Sequence, residues 1–197
     1  MLQKISDRLT DILLEKNIIK DENREIYVYG LLAMFSTVIN FFLILFIGII
    51  IGLTIETLIY LFSFAFLRSY CGGYHSKTQL SCAIDFTIIY GLSMAVYCFL
   101  PVEYSMIFSM VAAGFCLILI FLLAPIEHKN RTFEGDEYIK FRFVSRIIAL
   151  SYFSIIYTIS IFFNEYMMIA TVLALVMLSV SFVLILALIL YERSESE

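Results

Sequence analysis

The sequence is built from long apolar blocks with almost no charge inside them, separated by short polar segments. A membrane-spanning helix needs roughly 20 mainly apolar residues, because each residue rises ~1.5 Å and the hydrocarbon core is ~30 Å thick. Blocks of this kind lie at about 28–51, 54–70, 83–100, 105–125, 147–163 and 166–190. Hydrophobic residues make up 62% of the 197 and charged residues only 15%, where soluble domains run near half and a quarter. A soluble core of this size cannot hide so much apolar surface. The expected fold class is an all-α integral membrane protein of about six transmembrane helices, forming one membrane domain over residues 1–197.

Charge sorts the polar segments by side. With six spans, residues 1–27, 68–82, 126–146 and 191–197 share one face and hold all 13 Lys and Arg residues. The opposite loops hold Glu56, Glu103 and Glu165 and no basic residue. Short basic loops stay on the cytoplasmic side, so both termini are expected inside, with segments 68–82 and 126–146. The outer loops are too short for a ligand-binding domain. Residues 1–26 mix five basic with six acidic residues and lack the apolar h-region of a cleavable signal. Leu2, Ile5, Leu9, Ile12 and Leu13 recur there at helical spacing. That predicts an amphipathic cytoplasmic helix lying on lipid or on the rest of the chain.

Most polar residues have ordinary explanations. Cys98 and Cys116 fall in apolar spans, where a thiol behaves as a small hydrophobe. His128 reads as a solvated residue of a basic loop. Gly48 and Gly52 form a G-x-x-x-G in the first span, which lets helices approach closely; packing within the chain and a homodimer both fit it.

The segment RSYCGGYHSKTQLSC, Arg68 to Cys82, is different. A plain loop has use for Arg68, Lys77 and the Gly72-Gly73 pair, but none for His75 or Cys82. Only two His and four Cys exist in the chain, and one His and two Cys fall here. Three chemistries fit. A thiol nucleophile works as the thiolate, which a nearby imidazole activates. A zinc site on Cys71, His75 and Cys82 has unusual spacing and lacks a fourth ligand. Transport would call for ionisable residues deep in the spans, where only Asp85 is found, near a helix start. Ser76-Lys77-Thr78-Gln79 reads as a capping box that starts the third span near Lys77. Seven residues of straight helix rise ~10 Å, so the chain before Ser76 must fold back for His75 to reach Cys82. Gly72 and Gly73 permit that turn.

Arg68, Gly73, His75 and Cys82, on a cytoplasmic loop leading into a span, resemble the signature of the AgrB family, the accessory gene regulator B peptidases of Gram-positive bacteria. The size, six-span layout, charged amphipathic N-terminus and basic loop opened by Ala124-Pro125 are also similar. The resemblance covers nearly the whole chain, and its most specific part is His75-x6-Cys82 with the preceding Gly. It implies a cysteine endopeptidase of the bacterial cytoplasmic membrane that removes the C-terminal tail of a quorum-sensing pro-peptide, AgrD. The retained part stays on the enzyme as a thioester, which an internal Cys or Ser of the peptide attacks to close a thiolactone or lactone ring. Carried onto this chain, Cys82 is the nucleophile and His75 the base, while Cys71 matches no catalytic position. No metal or cofactor is implied, and no nucleic-acid partner is expected.

Thioester exchange has little driving force, so a site at the membrane surface helps by keeping water away. Gln79 and Asp85 are candidates for the oxyanion donor or the group that orients His75. Asp85 lies three residues after Cys82, on an adjoining helix face, and fits equally well as a partner of an Arg or Lys. Lys129, Arg131, Lys140, Arg142 and Arg146 form a basic segment that suits the acidic tail of the pro-peptide while its leader rests on lipid. Setting topology and binding anionic lipid would use the same charges. Two other functions fit the composition: a non-catalytic peptide-binding membrane protein, and a small transporter.

Overall fold

Backbone N–H and C=O groups have no water to bond in lipid, so apolar blocks of this length resolve as helices. The chain follows that rule in a computed structural model, which describes residues 2–16, 18–72, 79–126 and 136–195. In order these are α1 (Leu2–Glu15), α2 (Arg24–Ile50), α3 (Thr54–Cys71), α4 (Gln79–Phe99), α5 (Val102–Leu123), α6 (Glu137–Phe162) and α7 (Met167–Glu195). Short 3-10 turns precede α2 and α7.

Five segments are long and apolar enough to cross a membrane: Asp21–Ile50, Ser81–Phe99, Val102–Leu123, Glu137–Phe162 and Asn164–Leu190. The expected span at 54–70 is α3, and it falls short by composition. Glu56 in its first turn and Arg68 in its last leave only residues 57–67 free of charge. α3 packs inside the bundle, against α2, α6 and α7, with Tyr60, Leu61, Phe64, Leu67 and Cys71 buried.

Two boundaries also differ from expectation. The basic segment 126–146 is helical from Glu137 onward. Phe141, Val144, Ser145 and Ile148 lie inward at i, i+3, i+4 and i+7, so Lys140 and Arg142 occupy an outer face and do not interrupt the helix. The N-terminal helix stops at Glu15 rather than running to residue 26. Ser6 and Thr10 are buried where α1 packs on α2, and Arg24 Nη2 meets Asp11 Oδ1 at 2.8 Å. The apolar stripe Ile5, Leu9 and Ile12 stays exposed.

α7 is the central helix, with 67% of its apolar window buried against 11% for α2. Ala170, Ala174 and Ala187 are buried along it, small enough for neighbouring backbones to come close. Gly48 uses its lack of a side chain within the chain: a Cβ there would run into Thr57 of α3. Gly52, at φ +75°, turns α2 into α3.

One joint ties α3, α5 and α6 together at the end that carries the basic residues. α3 closes at Gly72, whose φ of 66° and ψ of −148° belong almost to glycine alone. The Ile126 N–H donates to the Cys71 carbonyl at 3.1 Å, and Gly72 and Ile126 pair as an isolated bridge. Ile126 follows the cis Ala124–Pro125 bond at the end of α5. Arg146 of α6 donates from Nη2 to the Phe121 carbonyl at 2.8 Å and lies 5.1 Å from the Phe121 ring centroid. Tyr70 and Phe141 bring α3 and α6 together at 5.5 Å between ring centroids.

Gly72 and Gly52 therefore make different predictions. Gly72→Ala incurs roughly 1–3 kcal/mol of backbone strain and also drives a Cβ into the Ile126 carbonyl. Gly52→Ala incurs only the strain, since nothing lies within 4 Å of that Cβ. Thermal unfolding in detergent should give Gly72→Ala the lower midpoint. Equal midpoints would mean that the joint does not hold the helices.

Candidate active site

Cys82 enters the site from the start of α4. It lies three residues beyond Gln79, the first residue of that helix, and carries a free, half-buried thiol. Asp85 follows it by three residues, also half-buried, and its charge reaches the thiol. Opposite is the last turn of α3, where the Arg68 guanidinium is within electrostatic reach of both Cys82 and Cys71. The Arg68 charge favours the Cys82 thiolate, the nucleophilic form, while burial, the larger effect, and the Asp85 charge oppose it.

This placement follows from how α3 and α4 meet. They run antiparallel, and their facing side chains form layers one helical turn apart. Arg68 and Cys82 are within electrostatic reach of each other in the first layer. Phe64 meets Phe86 in the next, at 4.9 Å between ring centroids, and Tyr60 meets Tyr90 in the third at 5.5 Å. Hydrogen bonds fix the register. Thr57 Oγ1 and the Tyr90 hydroxyl share one at 2.6 Å, and Tyr60 donates to Ser179 of α7 at 2.8 Å.

The four cysteines are thereby distinguished. Cys71 is fully buried and its carbonyl belongs to the Gly72–Ile126 joint. Cys116 is buried in α5, and Cys98 is exposed near the far end of α4. Cys82 alone among them sits half-buried at a helix start beside an arginine.

Of the other residues picked out by sequence, Gly73, His75 and Ser76 lie outside the described residues, as do His128, Lys129 and Arg131. Gln79 opens α4, and Lys140 and Arg142 are exposed on the first turns of α6. Arg146 has a different use from the one expected, since it bonds the end of α5. The stems of both polar segments meet at the Gly72–Ile126 joint, so the basic segment starts beside the helix end that carries Arg68. Sequence reading missed Ile126 and the Phe64–Phe86 pair. The i, i+4 spacing of Phe64 with Arg68, and of Cys82 with Phe86, was the available signal for that pair.

Comparison with known proteins places the chain in a family. The family model described as accessory gene regulator B matches residues 6–190, from within α1 to within α7. An AgrB-like protein 2 of Clostridium perfringens is 25% identical over 142 residues, covering 70% of this chain. An AgrB-like protein of Listeria monocytogenes serovar 1/2a is 29% identical over 139 residues, covering 69% of this chain. The chain spans 66% of the length of the first and 67% of the second, about two thirds of each. No solved structure matches it. With the family model covering nearly the whole chain, this protein belongs to the accessory gene regulator B family.

Proposed function

We propose that this protein is a membrane-embedded cysteine endopeptidase that trims a quorum-sensing pro-peptide and closes it into a ring. The observation that carries this reading is the half-buried Cys82 thiol within electrostatic reach of Arg68, in a chain of this family. Cys82 Sγ attacks the scissile carbonyl carbon after His75 takes its proton. The carbon–nitrogen bond breaks, His75 returns the proton to the leaving amine, and the C-terminal tail departs. The retained peptide is then a thioester on Cys82. An internal thiol or hydroxyl of the peptide gives its proton to His75 and attacks the same carbon. The bond to Cys82 breaks, Arg68 offsets the departing thiolate, and His75 reprotonates it. A peptide bond is exchanged for a ring (thio)ester and no water is consumed.

The site lies on the cytoplasmic face of the cell membrane in this reading, because all the basic residues share that side. The exposed stripe Ile5, Leu9 and Ile12 of α1 rests on lipid. The acidic tail of an AgrD-like substrate meets Lys129, Arg131, Lys140 and Arg142. Exposure of Lys140 and Arg142 next to the end of α3 supports this.

Two outcomes follow. Cys82→Ala and His75→Ala should each lower cleavage of a co-expressed pro-peptide by roughly 10⁴-fold or more, while Cys98→Ala leaves it intact. Mass spectrometry of the peptide reads this out. Loss of cleavage in Cys71→Ala, with activity kept in Cys82→Ala, would reassign the nucleophile. Charge reversal at Lys140 or Arg142 should raise KM about twofold to fivefold each and leave kcat unchanged, with basic residues in the peptide tail restoring affinity. An unchanged KM in correctly inserted protein would exclude capture by these residues.

A further inference from the structure

Behind Cys82 the α3–α4 seam alternates sharply in polarity. One turn below the Arg68–Cys82 layer lies the Phe64–Phe86 pair, with ring planes tilted by 39° at 4.9 Å. Phe64 also stacks on Tyr60 at 5.8 Å. Below the pair the seam turns into hydroxyls. Thr57 bonds Tyr90 at 2.6 Å, Tyr60 bonds Ser179 at 2.8 Å, and Ser93 bonds Ser179 at 3.0 Å. Farther along, Tyr97 donates to Glu56 at 3.3 Å, near the other end of the bundle. Hydroxyls and a carboxylate offer hydrogen-bond partners to water wherever the helices part, and two phenyl rings offer none. Among the described residues, the Phe64–Phe86 pair is a wholly hydrocarbon layer between that polar seam and the thiol.

We infer that Phe64 and Phe86 form a dry floor that decides the fate of the Cys82 thioester, cyclisation or hydrolysis. The inference rests on the proposed acyl-enzyme. Two nucleophiles compete for the thioester carbonyl carbon. The internal thiol or hydroxyl of the peptide releases Cys82 and yields the ring. A water molecule also releases Cys82, but it leaves a linear peptide with a new carboxylate, with one water consumed. The bound substrate covers the site from the side it enters. It cannot cover the side behind Cys82, where the hydroxyl seam runs up to the two rings. Excluding water there favours the ring, because it removes the competing nucleophile without slowing the internal one. Phe64 and Phe86 are thus positioning and specificity residues: they set which product forms and leave cleavage itself to Cys82 and His75.

The test is a graded series at one position. Phe86→Leu, Phe86→Val and Phe86→Ala are each inserted in membranes and supplied with the pro-peptide, and the ratio of linear to cyclic product is measured by mass. The ratio is independent of how much active protein survives, so a loss of stability alone does not move it. It should rise in the order Leu, Val, Ala, and Phe64→Ala should raise it as well. Ile88→Ala, at an exposed position on the same helix, should match wild type. Incorporation of ¹⁸O from labelled water into the new carboxylate identifies the linear product as hydrolysed thioester. An unchanged ratio across the Phe86 series, with wild type still making the ring, would overturn the inference. Failure of wild type to cleave at all would instead remove the acyl-enzyme beneath it.

Discussion

The arrangement depends on satisfying the hydroxyls of α3 inside an apolar bundle. A buried hydroxyl without a partner costs about 1–3 kcal/mol, and α3 buries Thr57 and Tyr60 together. Thr57 donates to the Leu53 carbonyl in any register, but the Tyr90 hydroxyl of α4 reaches Thr57, and Tyr60 reaches Ser179 of α7, only in this one. Sliding α4 by one turn would move it ~5.4 Å along α3 and break the Thr57–Tyr90 bond. The same slip would separate Arg68 from Cys82. Polar pairs in the middle of the bundle therefore set the chemistry at its end.

The second constraint acts at that end. α3 is 18 residues long, with Glu56 in its first turn and Arg68 in its last. The Cys71–Ile126 hydrogen bond and the Gly72 turn tie its end to the segment after α5. Arg146 in turn ties the start of α6 to the end of α5. Its guanidinium sits at the carbonyl end of α5, where the helix dipole favours a cation. The segments that leave this joint begin from fixed points, and both carry polar residues picked out by sequence.

Sequence showed the helical class because apolar block length is a direct consequence of bilayer thickness. It also singled out Cys82, since a thiol with a histidine and arginine nearby is conspicuous against hydrocarbon. Other features could not be read there. α3 has an uncharged middle between Glu56 and Arg68, yet its packing depends on which helices surround it, and Tyr60, Thr57 and Ser179 become partners only in three dimensions. The helical start of α6 was hidden because Lys140, Arg142 and Arg146 suggest a loop, although Phe141, Val144 and Ile148 supply an inward face between them. Gly48 fits a dimer motif as readily as it fits Thr57. Only the fold distinguishes the two uses for that glycine.

Cys82 is proposed to carry the acyl group, and a trapping experiment looks for that group on the protein. A pro-peptide whose ring-closing Cys or Ser is replaced by Ala keeps the scissile bond but lacks the internal nucleophile. Brief reaction in membranes, followed by acid quench, proteolysis and mass spectrometry, should find the retained peptide attached at Cys82. Hydroxylamine should release it, as expected for a thioester. The account would be contradicted if the tail were released while Cys82 stayed a free thiol throughout, or if the adduct mapped to Cys71.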